Sequence, residues 1–365
     1  MPTRSGWSLL AAAAVLLATG RVFGFAELTV LGAAAVAVWA AAGAALHLRR
    51  PEVAVTRRIT PDLITAGEVA HLVLTVAATR RPTGPILLRE PVSGTHGALL
   101  GTDPLRPGLA QTVACPLPSG RRGAVHTGPV TVEATDPFGL WRLRTTVPGR
   151  GMLLVAPRPE PLRRPVPGRG GRDLTAGTAL PASATAADGD FAHLRPYVVG
   201  DDLRRVHWPS TARRGDLVTR LDEPPGDGGV VLVLDTDPRH LDPPGFEVAV
   251  SAVASMAAAV IARGDRVEVA TTDGQRTGTV SGTAGKVAID AFLAIVTQIG
   301  DRPHRAPAAQ VLVTGPEGVG ADGDLVVVVE GERAYEPAAA GAGPARRVVT
   351  VPAGTSFGAA WDGGT

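Results

Sequence analysis

The chain has 365 residues, a formal net charge of +2, 45% hydrophobic residues and only 4% aromatic ones. Near-balanced charge argues against a nucleic-acid partner, whose binding needs a basic surface. The single cysteine, Cys115, excludes an intrachain disulfide or a cysteine zinc cage, and it reads as a small buried hydrophobe rather than a nucleophile.

Residues 1–50 read as a transmembrane hairpin. Residues 7–20 are almost wholly apolar, Arg21 interrupts, Glu27 comes next, and residues 28–48 form a second apolar run of about the 20 residues a spanning helix needs. The rival reading of the first run is a cleaved signal peptide, opened by Arg4. The second run argues against a freely secreted product. Arg4 precedes the first span and Arg49, Arg50, Arg57 and Arg58 come after the second, while the turn holds only Arg21 against Glu27. Positive charge stays inside, so a two-pass protein of the inner or plasma membrane with its soluble bulk in the cytoplasm is expected.

Residues 51–155 switch to short β-type runs at 69–76, 86–88, 111–117 and 130–134, separated by Gly and Pro clusters. That spacing predicts an all-β, sandwich-like domain. The run Asp136-Pro137-Phe138-Gly139-Leu140-Trp141 reads as a turn: Pro137 presets φ, Asp136 can accept from backbone amides, and Gly139 suits a positive φ. Its apolar residues would pack back and lock the sandwich to the next domain; a binding role for Trp141 is the alternative.

Residues 156–188 are rich in Pro, Gly and Arg and read as a solvated linker. Residues 189–228 then concentrate aromatics and forked cations: Arg195, Tyr197, Asp201, Asp202, Arg205, Trp208 and Arg213. Asp201 can cap a short helix through Trp208, with Arg205 one turn on. Three roles are open for this cluster. It can be a structural ion-pair network, a docking surface rich in the residue types that dominate interfaces, or an acid–base site using Asp201, Asp202 and His207. The last lacks a nucleophile, a metal triad and a phosphate loop, so no enzyme activity and no cofactor are expected.

The spaced motifs Gly189-x-Phe191, Leu194-Arg195-x-Tyr197, Gly200-Asp201, Arg205-x-x-Trp208 and Ser210-Thr211-Ala212-Arg213 resemble the signature of the domain of unknown function 58 family. Asp136 to Trp141 and the run Val155-Ala156-Pro157-Arg158-Pro159 are similar to further markers of that family. The resemblance implies membrane-anchored bacterial proteins, usually with a von Willebrand A-like domain, that work with MoxR-type AAA+ ATPases.

Residues 229–352 alternate apolar strands with helices, at 229–235, 265–270, 309–314, 324–330 and 347–351 for the strands and 246–263 and 286–299 for the helices. This predicts a doubly wound, mostly parallel α/β sheet. Its order resembles a von Willebrand A domain. Cation-binding members carry Asp-x-Ser-x-Ser after the first strand; here the stretch is Asp235-Thr236-Asp237-Pro238-Arg239. Arg239 would put a cation where a metal belongs, so a degenerate site at Asp235 and Asp237 is expected. The triplet at Thr272 reads as a hairpin turn, and residues 353–365 as a tail with little fixed structure. The sum is a multidomain, membrane-anchored adaptor or scaffold that touches lipid through its hairpin and an AAA+ ATPase of the MoxR type through protein contacts. An envelope-facing binding protein is the alternative, and a hydrolase a more remote one.

Overall fold

The structure is a computed structural model, and it describes residues 1–48, 50–167, 191–196, 218–222, 229–300, 309–318, 323–331 and 347–363. The chain divides into two compact units, Met1–Ala156 and Pro157–Thr365.

The first unit opens with two long helices, α1 (Arg4–Phe23) and α2 (Ala26–Leu48). Thr3 caps α1 by accepting from Gly6 N, and Gly24 ends it at φ 74°. Arg21 therefore does not stop the helix; it lies in the last turn. Both helices are long and apolar enough to cross a membrane. Trp7, Val15, Val22, Phe23, Val30, Leu31 and Val38 remain exposed on their surfaces. Helices apolar on the outside need a hydrocarbon solvent, so the pair fits a membrane hairpin.

Ten strands come next: β1 (Val53–Thr60), β2 (Leu63–Thr65), β3 (His71–Ala78), β4 (Ile86–Glu90), β5 (Ala98–Thr102), β6 (Ala110–Pro116), β7 (Gly123–Thr127), β8 (Val130–Thr135), β9 (Arg142–Val147) and β10 (Gly151–Ala156). They form three sheets, ordered β1-β3-β6, β2-β10-β7 and β5-β4-β8-β9. Every pair is antiparallel except β10 with β2. The alternation in β3 is a real face: Leu72, Leu74 and Val76 point into one core with Leu88, Val132, Leu153 and Val155. Period-2 patterning buries one side and leaves the other for water. Glu90, fully buried, closes this core edge by accepting from Arg57 Nη2 at 2.8 Å and Nε at 3.1 Å.

The turn at Asp136 forms as expected locally. Asp136 accepts from Phe138 N at 2.9 Å and Trp141 N at 2.5 Å, and Gly139 takes φ 70°. Its destination differs from the expectation. The turn docks on the hairpin: Trp141 Nε1 donates to Trp39 O at 2.9 Å, the two indoles stand 4.6 Å apart, and Thr3 N donates to Leu140 O at 2.8 Å. Gly43 makes room, since a Cβ there would lie 2.6 Å from the Trp141 ring.

The second unit begins with residues 157–167. The start of the stretch expected to be linker is an ordered strap: Glu160 accepts from Gly358 N at 2.7 Å, Arg164 O accepts from Trp361 Nε1 at 3.1 Å, and Val166 is buried. The strands β11 (Phe191–Pro196) and β12 (Val218–Asp222) pair antiparallel. Then come β13 (Gly229–Leu234), α3 (Pro243–Ala262), β14 (Arg266–Thr271), α4 (Gly282–Ile295), β15 (Ala309–Thr314), β16 (Gly323–Val329), β17 (Arg347–Val351) and α5 (Phe357–Gly363). The sheet order is β14-β13-β15-β16-β17, with every pair parallel. Asp242 caps α3 by accepting from Gly245 N at 2.7 Å. By length and composition α3 could also span a membrane, but its Ala, Val and Met faces are buried in the core against the sheet.

Two features depart from expectation. Among the described residues, α3, α4 and α5 all join one core on one sheet face, rather than winding over both. The other face carries separate small buried clusters, Val233 with Ala270 and Leu312, and Val326 with Val328. The tail is also structured: Phe357 and Trp361 bury themselves in the main core, because large aromatics spaced one turn apart give α5 an apolar face.

Candidate functional site

Strands β13, β14 and β15 are neighbours in the sheet, so their carboxyl ends bring Asp235, Thr272 and Thr314 together. This edge is where open parallel sheets hold ligands. Asp235 is only 3% exposed. One of its oxygens accepts from Asp237 N at 3.0 Å and Thr272 Oγ1 at 3.1 Å. The other accepts from Thr314 Oγ1 at 2.5 Å and pairs with His240 Nδ1 at 2.6 Å. An ionised carboxylate only accepts, so His240 presents its Nδ1 proton there. Thr236 N donates to Thr272 Oγ1 at 3.0 Å, tying the β13 loop to β14.

Arg239 does not enter this cluster. Its side chain is 75% exposed and forks onto Asp237, with Nε at 2.9 Å and Nη2 at 2.5 Å from the carboxylate. That hydrogen bond, then the charge of Asp237, holds the guanidinium above its ordinary value. Arg239 thus sets its cation against Asp237, while the oxygens of Asp235 are met by two threonines, a backbone amide and His240. A hard cation binds through oxygens whose lone pairs face it, and both Asp235 oxygens already face protein donors. Among the described residues, no group of three or more His, Cys, Asp or Glu could hold a metal ion.

Asp273 lies in the tight turn after β14, where Ala270 bridges antiparallel to Arg276. Burial pushes its carboxyl up, but hydrogen bonds from Gln275, Thr271 and Thr236 outweigh it and leave the pKa lowered. Chemically, Asp235 and His240 form an oriented carboxylate–imidazole pair. Among the described residues no Ser, Thr or Cys hydroxyl or thiol bonds to the imidazole; Thr314 spends its proton on Asp235. Nucleophilic catalysis needs the nucleophile on the base, and among the described residues none is bonded to this pair. Cys115 belongs to the first unit, in β6; it is half-buried, and its thiol is raised first by burial and then by Glu90.

Of the residues singled out in residues 189–228, Arg195 lies on β11, paired opposite Thr219. Tyr197, Asp201, Asp202, Arg205, His207, Trp208 and Arg213 lie outside the described residues. Asp237 N donates to Asp235 at the end of β13. His240, Thr272 and Thr314 were missed. The available signal was a strand-end hydroxyl on each neighbour of β13, but the order of strands has to be known before those ends are known to meet.

The described elements define a class: an apolar two-helix hairpin with a strand-rich unit, followed by a unit built on a parallel sheet. Residues 193–326 match the model of the family described as "Protein of unknown function DUF58", which supports the resemblance carried by the spaced motifs. The match begins in β11 and ends within β16, so it lies wholly in the second unit. No curated protein matches the chain. Among solved structures, the CARDB domain of a Pyrococcus furiosus protein crystallised with di-metal ions is similar at 16% identity, over 29% of this chain and 93% of that one, with a TM-score of 0.23. The human seminal-plasma complex of zinc 2-glycoprotein with prolactin-inducible protein is similar at 14% identity, over 28% and 92%, with a TM-score of 0.21. An alkylpurine DNA glycosylase of Pseudomonas fluorescens bound to DNA is similar at 21% identity, over 29% and 33%, with a TM-score of 0.18.

Proposed function

We propose that this protein is a membrane-anchored adaptor whose second unit engages a MoxR-type AAA+ ATPase through protein contacts. The hairpin holds it in the inner or plasma membrane, and both soluble units face the cytoplasm, as the arginines flanking the spans favour. The second unit is a von Willebrand A-like domain whose cation site has eroded into the Asp235 network. Docking runs through the arginine- and aromatic-rich stretch of Arg195, Tyr197, Asp201, Asp202, Arg205, Trp208 and Arg213. The observation that carries the reading is the family match over residues 193–326, which covers that stretch, three whole sheet strands and the first half of β16, downstream of a membrane hairpin. The chain has no Gly-x4-Gly-Lys-Ser/Thr loop, so ATP chemistry must come from the partner. On this reading the protein acts by contact; among the described residues the Asp235–His240 pair has no nucleophile bonded to it.

The test is affinity capture of the tagged full chain from native membranes with ATP present, read by mass spectrometry. Recovery of an AAA+ ATPase, lost in Arg205→Ala or Asp201→Ala with unchanged melting, is the expected result. Recovery of wall or envelope components with no ATPase would overturn it and favour the envelope-facing alternative.

A further inference from the structure

A cavity of about 570 Å³ opens beside the first turn of α1, lined by Pro2, Thr3, Arg4, Gly139, Arg142 and Arg144 among others. Its volume is in the range of small-ligand sites, roughly 300–1,000 Å³. Arg142 and Arg144 stand two apart on β9, so they share one sheet face. They face Glu133 of β8, at 3.6 and 3.0 Å, and Arg89 of β4 reaches the same carboxylate at 3.3 Å. One carboxylate therefore serves three guanidiniums. Arg4 adds another cation, with no ion-pair partner among the described residues. The wall is left with an excess of positive charge.

The depth of this cavity is set by the helix beside it. Helix α1 has 20 residues, and at 1.5 Å per residue it is about as long as the hydrocarbon core is thick. Arg4, its first residue, then lies at head-group level. The Asp136 turn lies at the same level, because Thr3 donates to Gly139 O at 2.5 Å. On that turn Phe138 is 69% exposed, an apolar ring left largely uncovered by the described residues. An exposed aromatic beside cations in excess suits a membrane–water boundary: the ring enters the acyl edge and the cations meet phosphate.

We propose that this cavity binds the phosphodiester head group of an anionic phospholipid, of the phosphatidylglycerol class, from the leaflet next to the strand-rich unit. Arg4, Arg142 and Arg144 hold the phosphate, and Phe138 rests on the acyl chains. The bound lipid fixes the strand-rich unit against the bilayer. This rests on the hairpin lying in a membrane, and it does not need the ATPase partner.

The test is native mass spectrometry of the full chain in neutral detergent, titrated with phosphatidylglycerol or phosphatidylcholine. Wild type should retain phosphatidylglycerol saturably and phosphatidylcholine only weakly. Each arginine near a membrane surface contributes roughly fivefold in affinity, so Arg142→Gln with Arg144→Gln should weaken retention roughly 25-fold. The pair Arg142→Lys with Arg144→Lys should keep most of it, and Arg80→Gln with Arg121→Gln should change nothing. Equal retention by wild type and the Gln pair overturns the proposal. Full competition by soluble glycerol 3-phosphate at lipid-like concentration also overturns it, by making the ligand a free phosphate ester. Alkaline carbonate extraction of native membranes separates the two readings: release of the chain removes the hairpin itself, whereas retention with no lipid specificity removes only the lipid site.

Discussion

Replacing Asp235 by Ala removes the acceptor of four donors at once: Asp237 N, Thr272 Oγ1, Thr314 Oγ1 and His240 Nδ1. The hydroxyls can rotate and the imidazole can change tautomer, so some donors find new acceptors. The backbone amide of Asp237 cannot turn. A buried donor left unsatisfied costs about 1–3 kcal/mol, so a net loss of about 3–5 kcal/mol is expected. For a unit of this size each kcal/mol is worth about 2–4 °C, which places the melting of the second unit about 10 °C lower. Calorimetry of the full chain gives the temperature, and hydrogen-exchange mass spectrometry assigns the loss to peptides of β13 and β15. Thr314→Val supplies the second arm of a double-mutant cycle. Because its hydroxyl acts through Asp235, its cost should shrink in the Asp235→Ala background. Melting of Asp235→Ala within about 1 °C of wild type would refute the network, as would strict additivity of the two changes. Stabilisation of wild type by Mg²⁺ or Mn²⁺ that disappears in Asp235→Ala would also refute it, by showing a cation among those donors.

Three further outcomes are expected. Gly43→Leu must displace the Trp141 ring, whose atoms lie 2.6–2.9 Å from a Cβ at that position. The lost indole hydrogen bond and ring packing should cost about 2–3 kcal/mol and raise exchange over residues 136–142, while the sheets stay protected. Glu90→Gln breaks a buried pair and leaves Arg57 uncompensated, so urea unfolding should show about 3–5 kcal/mol lost; a change under about 1 kcal/mol would make the pair ornamental. The Asp273 pKa is lower folded than unfolded, so the folded state favours the ionised form. Its stabilisation is complete above the ordinary carboxylate value of about 3.9 and is lost as pH falls below that toward the folded value. Asp273→Asn should flatten this acid limb and leave any transition nearer neutrality where it was.

Much of the architecture was legible because it rests on local patterns. Two apolar runs are enough for two helices, although the first ends at Gly24 and not at Arg21. Alternation in residues 71–78 is enough for a half-buried strand, and the unbroken apolar run from Val230 to Leu234 for a strand covered on both faces. The tight turns at Asp136 and Asp273 also announce themselves, since Asp, Pro and Gly act on their own backbone. The site was half legible. Asp235 and Asp237 stood out by ending the first apolar strand of the sheet, but their partners did not. His240 is only five residues away, yet its contact with Asp235 depends on how the loop turns. Residues 157–167 and α5 were expected to be loose because each buries its apolar surface against the other and α3, rather than within its own sequence.

What the sequence determined by itself is every element whose reason lies within a few residues: helix and strand period, caps, turns and the apolar length of the hairpin. Tertiary structure decided the rest. It paired β2 with β10 in parallel across some ninety residues, and set Trp141 on Trp39 across 102 positions. It placed Thr272 and Thr314 on the two oxygens of Asp235, and gathered Arg4 with Arg142 and Arg144 around one cavity. The physical reason is the same in each case. A hydroxyl, an indole or a guanidinium carries no record of its distant partner, and only strand order and sheet packing bring the two within hydrogen-bonding range.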